Sequence, residues 1–141
     1  MKITREAELR SLICSQNRSD ILVQPIETGS IALGVPDLFI QTFELAFWVE
    51  LKIVRERDHG LIKFQPTQLT WHRRLIKAHG IPLIMVYDSF NDIYFITYEA
   101  FIVNSRLKGS LKAIHQEQSF LLDELISEAG KLKYRLRRQE K

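Results

Sequence analysis

Two carboxylates, a lysine and a glutamine are spaced along this chain as a divalent-cation site would need them. Asp37 lies in Gly34-Val35-Pro36-Asp37-Leu38, Glu50 and Lys52 in Glu50-Leu51-Lys52, and Gln68 at the head of Gln68-Leu69-Thr70-Trp71. Mg²⁺ takes hard oxygen ligands and keeps several of its own waters, so Asp37, Glu50 and the backbone carbonyl of Leu51 would be a sufficient protein contribution. A cation held there lowers the pKa of a water and polarises a phosphate. Lys52 could orient or deprotonate that water, or stabilise charge developing on the phosphate. The chemistry open to such a set is metal-assisted hydrolysis of a phosphodiester.

The flanking residues decide whether these groups can meet. Phe47, Val49, Leu51 and Ile53 alternate with Trp48, Glu50 and Lys52, so a strand from Ala46 to Ile53 buries the first set and turns Glu50 and Lys52 together onto the other face. In residues 35 to 41 the same alternation groups Val35, Asp37 and Phe39. Asp37 among apolar neighbours needs a partner, because an unpaired buried carboxylate costs several kcal/mol. A cation shared with Glu50 would remove that cost, and so would a plain ion pair with Lys52. Gly34 and Pro36 bracket a bend or bulge that could aim Asp37.

A helix is expected from Thr4, the possible cap, to about Gln16, with acids in its first turn. Glu6 shares a face with Leu9 and Ile13, so it is a better candidate than Glu8 to reach the site; serving only the helix dipole is the competing role. Ile21 to Ile26 reads as a strand leading through a turn at Glu27-Thr28-Gly29-Ser30 into Ile31 to Leu33. Pro66 opens a second helix that runs to His79 and stops at Gly80. There Gln68, Trp71 and Leu75 share a face, so the Gln68 amide points inward and needs partners: the lysine, a water on the cation, a phosphate or backbone. Ile81 to Tyr87 and Ile93 to Tyr98 form a hairpin of apolar strands. A short helical stretch is predicted from about Glu99, and a long basic helix over about 116–141, with Leu122, Leu125, Ala129, Leu132 and Leu136 as a stripe that suits packing on the domain or on a second copy.

The chain has 141 residues, 45% of them apolar, which suits one α/β domain with its own core over 1–141. No apolar run is long enough to span a bilayer and the start is polar, so a soluble cytoplasmic protein is expected. Cys14 is the only cysteine, which excludes an internal disulfide and a multi-cysteine zinc site. His59, His72, His79 and His115 show no ligand spacing. Trp48 and Trp71 could stack on bases or pack around a sheet. The net charge of +3 is concentrated at the C-terminal end, where Lys131, Lys133, Arg135, Arg137, Arg138 and Lys141 face only Glu140. Such a cluster can bind nucleic-acid phosphates, or can be a solvated helix end that complements the dipole. Arg55, Arg57 and Lys63, in the charged loop from 54 to 65, are further candidate phosphate contacts.

Taken in order, the Asp37, Glu50-Leu51-Lys52 and Gln68 segments, with Glu6 upstream and Ala78-His79-Gly80-Ile81-Pro82-Leu83 downstream, resemble the PD-(D/E)XK nuclease superfamily, and within it the virus-type replication-repair nuclease branch (VRR-NUC). The resemblance covers about residues 4 to 88. It implies a restriction-endonuclease-like core, a mixed β-sheet flanked by α-helices, and Mg²⁺-dependent cleavage of DNA with Mn²⁺ as a substitute. For small stand-alone phage members it further implies a homodimer acting on branched DNA, as a Holliday-junction resolvase does. Catalytic roles then fall on Asp37, Glu50, Lys52, Gln68 and Glu6. The alternatives are a DNA-binding or host-regulating protein that keeps the scaffold without cutting, and a sequence-specific restriction-type enzyme, for which the chain leaves little room.

Overall fold

The computed structural model describes residues 3–27, 34–55, 61–98, 105–106, 112–115 and 118–139. Helix α1 (Glu6–Ser15) leads to strands β1 (Leu22–Pro25), β2 (Leu38–Gln41) and β3 (Ala46–Val54), then to the two-residue strand β4 (Leu61–Ile62) and helix α2 (Pro66–Lys77). Strands β5 (Pro82–Asp88), β6 (Ile93–Thr97), β7 (Ser105–Arg106) and β8 (Lys112–His115) follow, and a 3-10 turn at Gln118–Phe120 enters helix α3 (Leu121–Gln139). The fold is α/β: a six-stranded mixed sheet in the order β1-β2-β3-β5-β6-β8 with helices against it, and β4 paired to β7 apart.

Strands β3 and β5 are parallel, whereas the other neighbours in the large sheet are antiparallel. A parallel pair needs a long crossover, and α2 supplies it. All seven residues of β5 are buried, as a strand covered on both faces requires. On one face Leu9 and Ile13 of α1 and Leu122, Leu125, Ala129 and Leu132 of α3 join Phe47, Val49, Leu51, Leu83 and Met85 in the main core. On the other, Leu69 of α2 packs with Val54, Ile62, Phe64, Ile84 and Val86. The α3 stripe therefore packs on its own domain, with Leu136 only partly buried at its end.

Several expectations are corrected. Thr4 does not cap α1: Arg5 is the N-cap residue and the Thr4 hydroxyl donates instead to Glu8 Oε1 at 2.7 Å. The stretch 54–65 is not loop throughout, since Val54 completes β3 and Leu61–Ile62 form β4; an apolar Ile62 and Phe64 are buried there, which the surrounding charges concealed. Helix α2 ends at Lys77 rather than running to His79, and Gly80 does not take the left-handed position after it. His79 does, at φ 63°, and its N–H bonds Ile76 O while Gly80 N–H bonds Leu75 O, the paired pattern of a Schellman ending. The short helical stretch expected from about Glu99 and the turn at 28–33 lie outside the described residues, and between Tyr98 and Gln118 the described residues form β7 and β8. Among the described residues no helix is long and apolar enough to cross a membrane.

Candidate metal centre

The site is built on β3, the sheet's central ladder. Register pairs Leu38 with Val49 and Phe39 with Trp48, so one step further Asp37 falls opposite Glu50 on the face that also carries Lys52. The Phe39 and Trp48 rings fill that face beside the carboxylates, their centroids 5.0 Å apart; Trp48 is thus a sheet-packing residue. The approach to Asp37 is fixed by Gly34, at φ +88°, where a Cβ would lie 2.3 Å from Thr67 O. Only glycine fits, and the contact holds the Asp37 segment against the first turn of α2.

That turn delivers Gln68. Gln65 is the N-cap in a reciprocal capping box with Gln68, and Pro66 takes the first helical position. Gln68 Oε1 accepts from Gln65 N–H at 2.8 Å and from Lys52 Nζ at 2.8 Å, and its Nε2 donates to Glu50 Oε1 at 2.8 Å. One amide therefore spans the lysine and the carboxylate. Lys52 Nζ also lies 5.1 Å from the centre of the Phe64 ring, which confines it further. The signal for Gln65 was legible as a polar residue three before Gln68, just ahead of an amphipathic run.

Asp37 Oδ2 accepts from Leu51 N–H at 2.8 Å. In a strand a residue's N–H and C=O point to the same side, so the Leu51 carbonyl also turns toward Asp37, where β2 has not yet begun. Glu50 is 8% exposed. Burial first, and then the Asp37 charge, push its carboxyl up to about 9. Burial pushes Asp37 up as well, against the Leu51 hydrogen bond. The pair thus shares a proton unless another positive charge takes its place.

This donor set fits Mg²⁺. Two adjoining carboxylates and a backbone carbonyl are hard oxygens, and their mutual repulsion is what a divalent cation would relieve. Among the described residues no three His, Cys, Asp or Glu side chains gather, so the set rests on the carbonyl as well as Asp37 and Glu50. Glu6, exposed at the head of α1, lines a cavity of about 160 Å³ with Lys52, Arg55 and Lys63, and its charge reaches Glu50. Glu8 is instead engaged by Arg5 and Thr4.

The remaining candidates divide. Arg55 donates to Thr4 O at 2.7 Å and with Lys63 lines the cavity shared by Glu6 and Lys52, while Arg57 lies outside the described residues. The α3 cations are not gathered at the site. Lys131 pairs with Glu128 at 3.1 Å, Lys133 donates to Glu44 O at 2.8 Å, and Arg135 and Arg138 lie over the rings of Tyr98 and Tyr134. Arg137 lines a separate groove. His72 is buried on α2, its Nε2 bonded to Tyr98 O, and burial lowers its pKa. No protein-family model and no curated protein matches this sequence.

Proposed function

We propose that the protein is a Mg²⁺-dependent deoxyribonuclease of the PD-(D/E)XK kind, related to the virus-type replication-repair nucleases, which cuts branched DNA. The observation that carries the reading is the Gln68 amide joining Lys52 to Glu50 beside Asp37. An ordinary ion pair would need no such bridge, and a scaffold that had given up catalysis would be free to lose one of the four. Asp37, Glu50 and the Leu51 carbonyl would hold Mg²⁺, which supplies Lewis acidity toward the phosphate and an acidified water.

The chain's own groups do the rest. Lys52 orients the attacking water and stabilises the negative charge that builds on the phosphate oxygens. Gln68 fixes the Lys52 ammonium in place so that this charge meets a preorganised donor. Glu6 faces the same cavity and can hold a water. Arg55 and Lys63 flank the cavity as contacts for neighbouring phosphates, a sequence-independent mode of binding. The choice of branched DNA rests on the family resemblance.

The test compares a four-way junction, a splayed fork, linear duplex and single strand, in Mg²⁺ and in EDTA, with Lys52→Ala alongside. Metal-dependent cutting of the junction, lost in Lys52→Ala while junction binding persists, is expected. Cutting retained by Lys52→Ala would remove the role given to that lysine, and binding with no cutting by the wild type would turn the reading to a non-cleaving scaffold.

A further inference from the structure

Helix α1 brings a second polar side chain to the carboxylates. Leu9 and Ile13 are fully buried against the sheet, which fixes how the helix is turned about its axis. At about 100° per residue, Glu6 and Arg10 project within roughly 40° of each other and stand about 6 Å apart along that axis. Glu6 lines the Lys52 cavity and its charge is felt at Glu50, so Arg10 falls one turn further along the same face. The carboxylate on that side is Asp37: burial raises its pKa, and the Arg10 charge, with the Leu51 hydrogen bond and Lys52, works against the rise.

Arg10 is half-buried, yet among the described residues it donates no hydrogen bond and forms no ion pair. A guanidinium always carries its charge and has more N–H donors than any other side chain, so holding it partly away from water without an acceptor is unfavourable. Two acids lie near it and neither takes it. Glu6 precedes Arg10 in the orientation that favours a helical ion pair, and the neighbouring Arg5 and Glu8 do pair, at 3.3 Å, but Glu6 and Arg10 stay apart. Asp37 Oδ2 accepts from Leu51 N–H instead. The guanidinium is therefore a charged, planar fork left open beside the oxygens that would hold Mg²⁺. Such a fork matches an anion with paired oxygens, and the non-bridging oxygens of a phosphodiester at that cation are the pair that would come there.

We propose that Arg10 is a further substrate-binding residue of the centre, its guanidinium holding the non-bridging oxygens of the phosphodiester beside Asp37, one helical turn from Glu6. Its fork sets the orientation of the group on which Lys52 acts, which a flexible ammonium in its place would do less well. That the anion is a phosphodiester to be cut rests on the nuclease reading; the anion site itself does not.

The experiment is an anisotropy titration of a dye-labelled four-way junction in EDTA over a range of salt concentrations, with the wild type, Arg10→Gln and Arg10→Lys, and thermal melts of all three. Arg10→Gln should weaken binding by about tenfold and lower the slope of log affinity against log salt by about one. Arg10→Lys should recover the slope. The melting temperatures should not fall, because no hydrogen bond or ion pair is lost with the guanidinium. Binding unchanged in Arg10→Gln overturns the assignment, and a lower melt beside it would make Arg10 a counter-charge for Asp37. A slope that Arg10→Lys does not recover, or a wild type that binds no junction, overturns it as well. Because binding is read without cutting, a chain that needs Arg10 to bind but cuts nothing in Mg²⁺ counts against the nuclease reading alone. Cutting that Arg10→Gln leaves unchanged counts against this inference alone.

Discussion

Replacing Glu50 by glutamine should stabilise the metal-free protein while abolishing the DNA cutting proposed for it. Glu50 is 8% exposed, and its carboxyl is held up at about 9 by burial and by Asp37, against 4.5 for the free side chain. The unfolded chain gives up this proton near 4.5 and the folded chain keeps it to about 9. The folded state therefore binds more protons between those values, and stability falls as pH rises through that window. At about pH 7.5, three pH units above the free value and 1.36 kcal/mol per unit set a ceiling of roughly 4 kcal/mol. Because the proton is shared with Asp37, a gain of roughly 2 to 4 kcal/mol is expected from removing the charge. Glutamine keeps the shape, can accept from Gln68 Nε2 and can donate to Asp37, so no buried polar group is orphaned. At about 3 °C per kcal/mol for a domain of this size, the melting temperature in EDTA should rise by roughly 6 to 12 °C. Thermal melts of both proteins from about pH 5 to pH 9 would show the wild type losing stability toward alkaline pH and the variant staying flatter. Mg²⁺ should raise the wild-type melt at the alkaline end, where the vacated proton must be replaced by another positive charge, and leave the variant unmoved. A variant that melts below the wild type at about pH 7.5 in EDTA, or a wild type indifferent to Mg²⁺, would refute the reasoning.

Three other substitutions test how the site is held. Gln68→Leu removes the bridge between Lys52 and Glu50 and should lower the single-turnover cleavage rate by about a hundredfold with junction affinity little changed; an unaltered rate would make Gln68 a helix cap and nothing more. Gly34→Ala drives a Cβ to 2.3 Å from Thr67 O at a positive φ, so a loss of roughly 2 to 4 kcal/mol in urea unfolding is expected. In the opposite direction, a Cβ at Gly130 would meet only Leu45 Cδ1, at 3.8 Å. Gly130→Ala should therefore stabilise α3 by about 1 kcal/mol, seen as a higher urea midpoint at unchanged m-value.

The Asp37, Glu50 and Lys52 arrangement was legible because a strand repeats every two residues, so the alternation of Phe47, Val49, Leu51 and Ile53 already says which way Glu50 and Lys52 point. Gln68 was legible for a related reason: a polar amide on an inward helical face must find a partner. His72 shows the limit of that logic. It lies one turn from Gln68 on α2, but its partner is the Tyr98 carbonyl, supplied from the far side of β5 and β6, and nothing local in the sequence announces it. Helix α2 was read two residues too long because glycine usually marks the left-handed residue of a helix ending, whereas here His79 takes that position and Gly80 makes the tight approach to Leu75.

The basic C-terminal stretch is a different case. Six cations close together in sequence suggest one surface, but a helix turns by 100° per residue, so neighbours in the chain are not neighbours in space. Lys133 and Arg137 share a flank and come to the groove beside Phe43, while Arg135 and Arg138 settle over Tyr98 and Tyr134 and Lys131 pairs with Glu128. The five described cations are divided among a helix-surface ion pair, two aromatic contacts and the rim of an apolar groove. The cations that line the cavity with Glu6 are Lys52, Arg55 and Lys63, brought from β3 and the segments that follow β3 and β4. If the chain cuts DNA, neutralising Lys63 should weaken junction binding and flatten its salt dependence by about one unit of slope, whereas neutralising Lys131 on α3 should change neither. Equal effects from the two would mean that the DNA wraps both faces of the sheet, and the separation of site and groove argued from this fold would not hold.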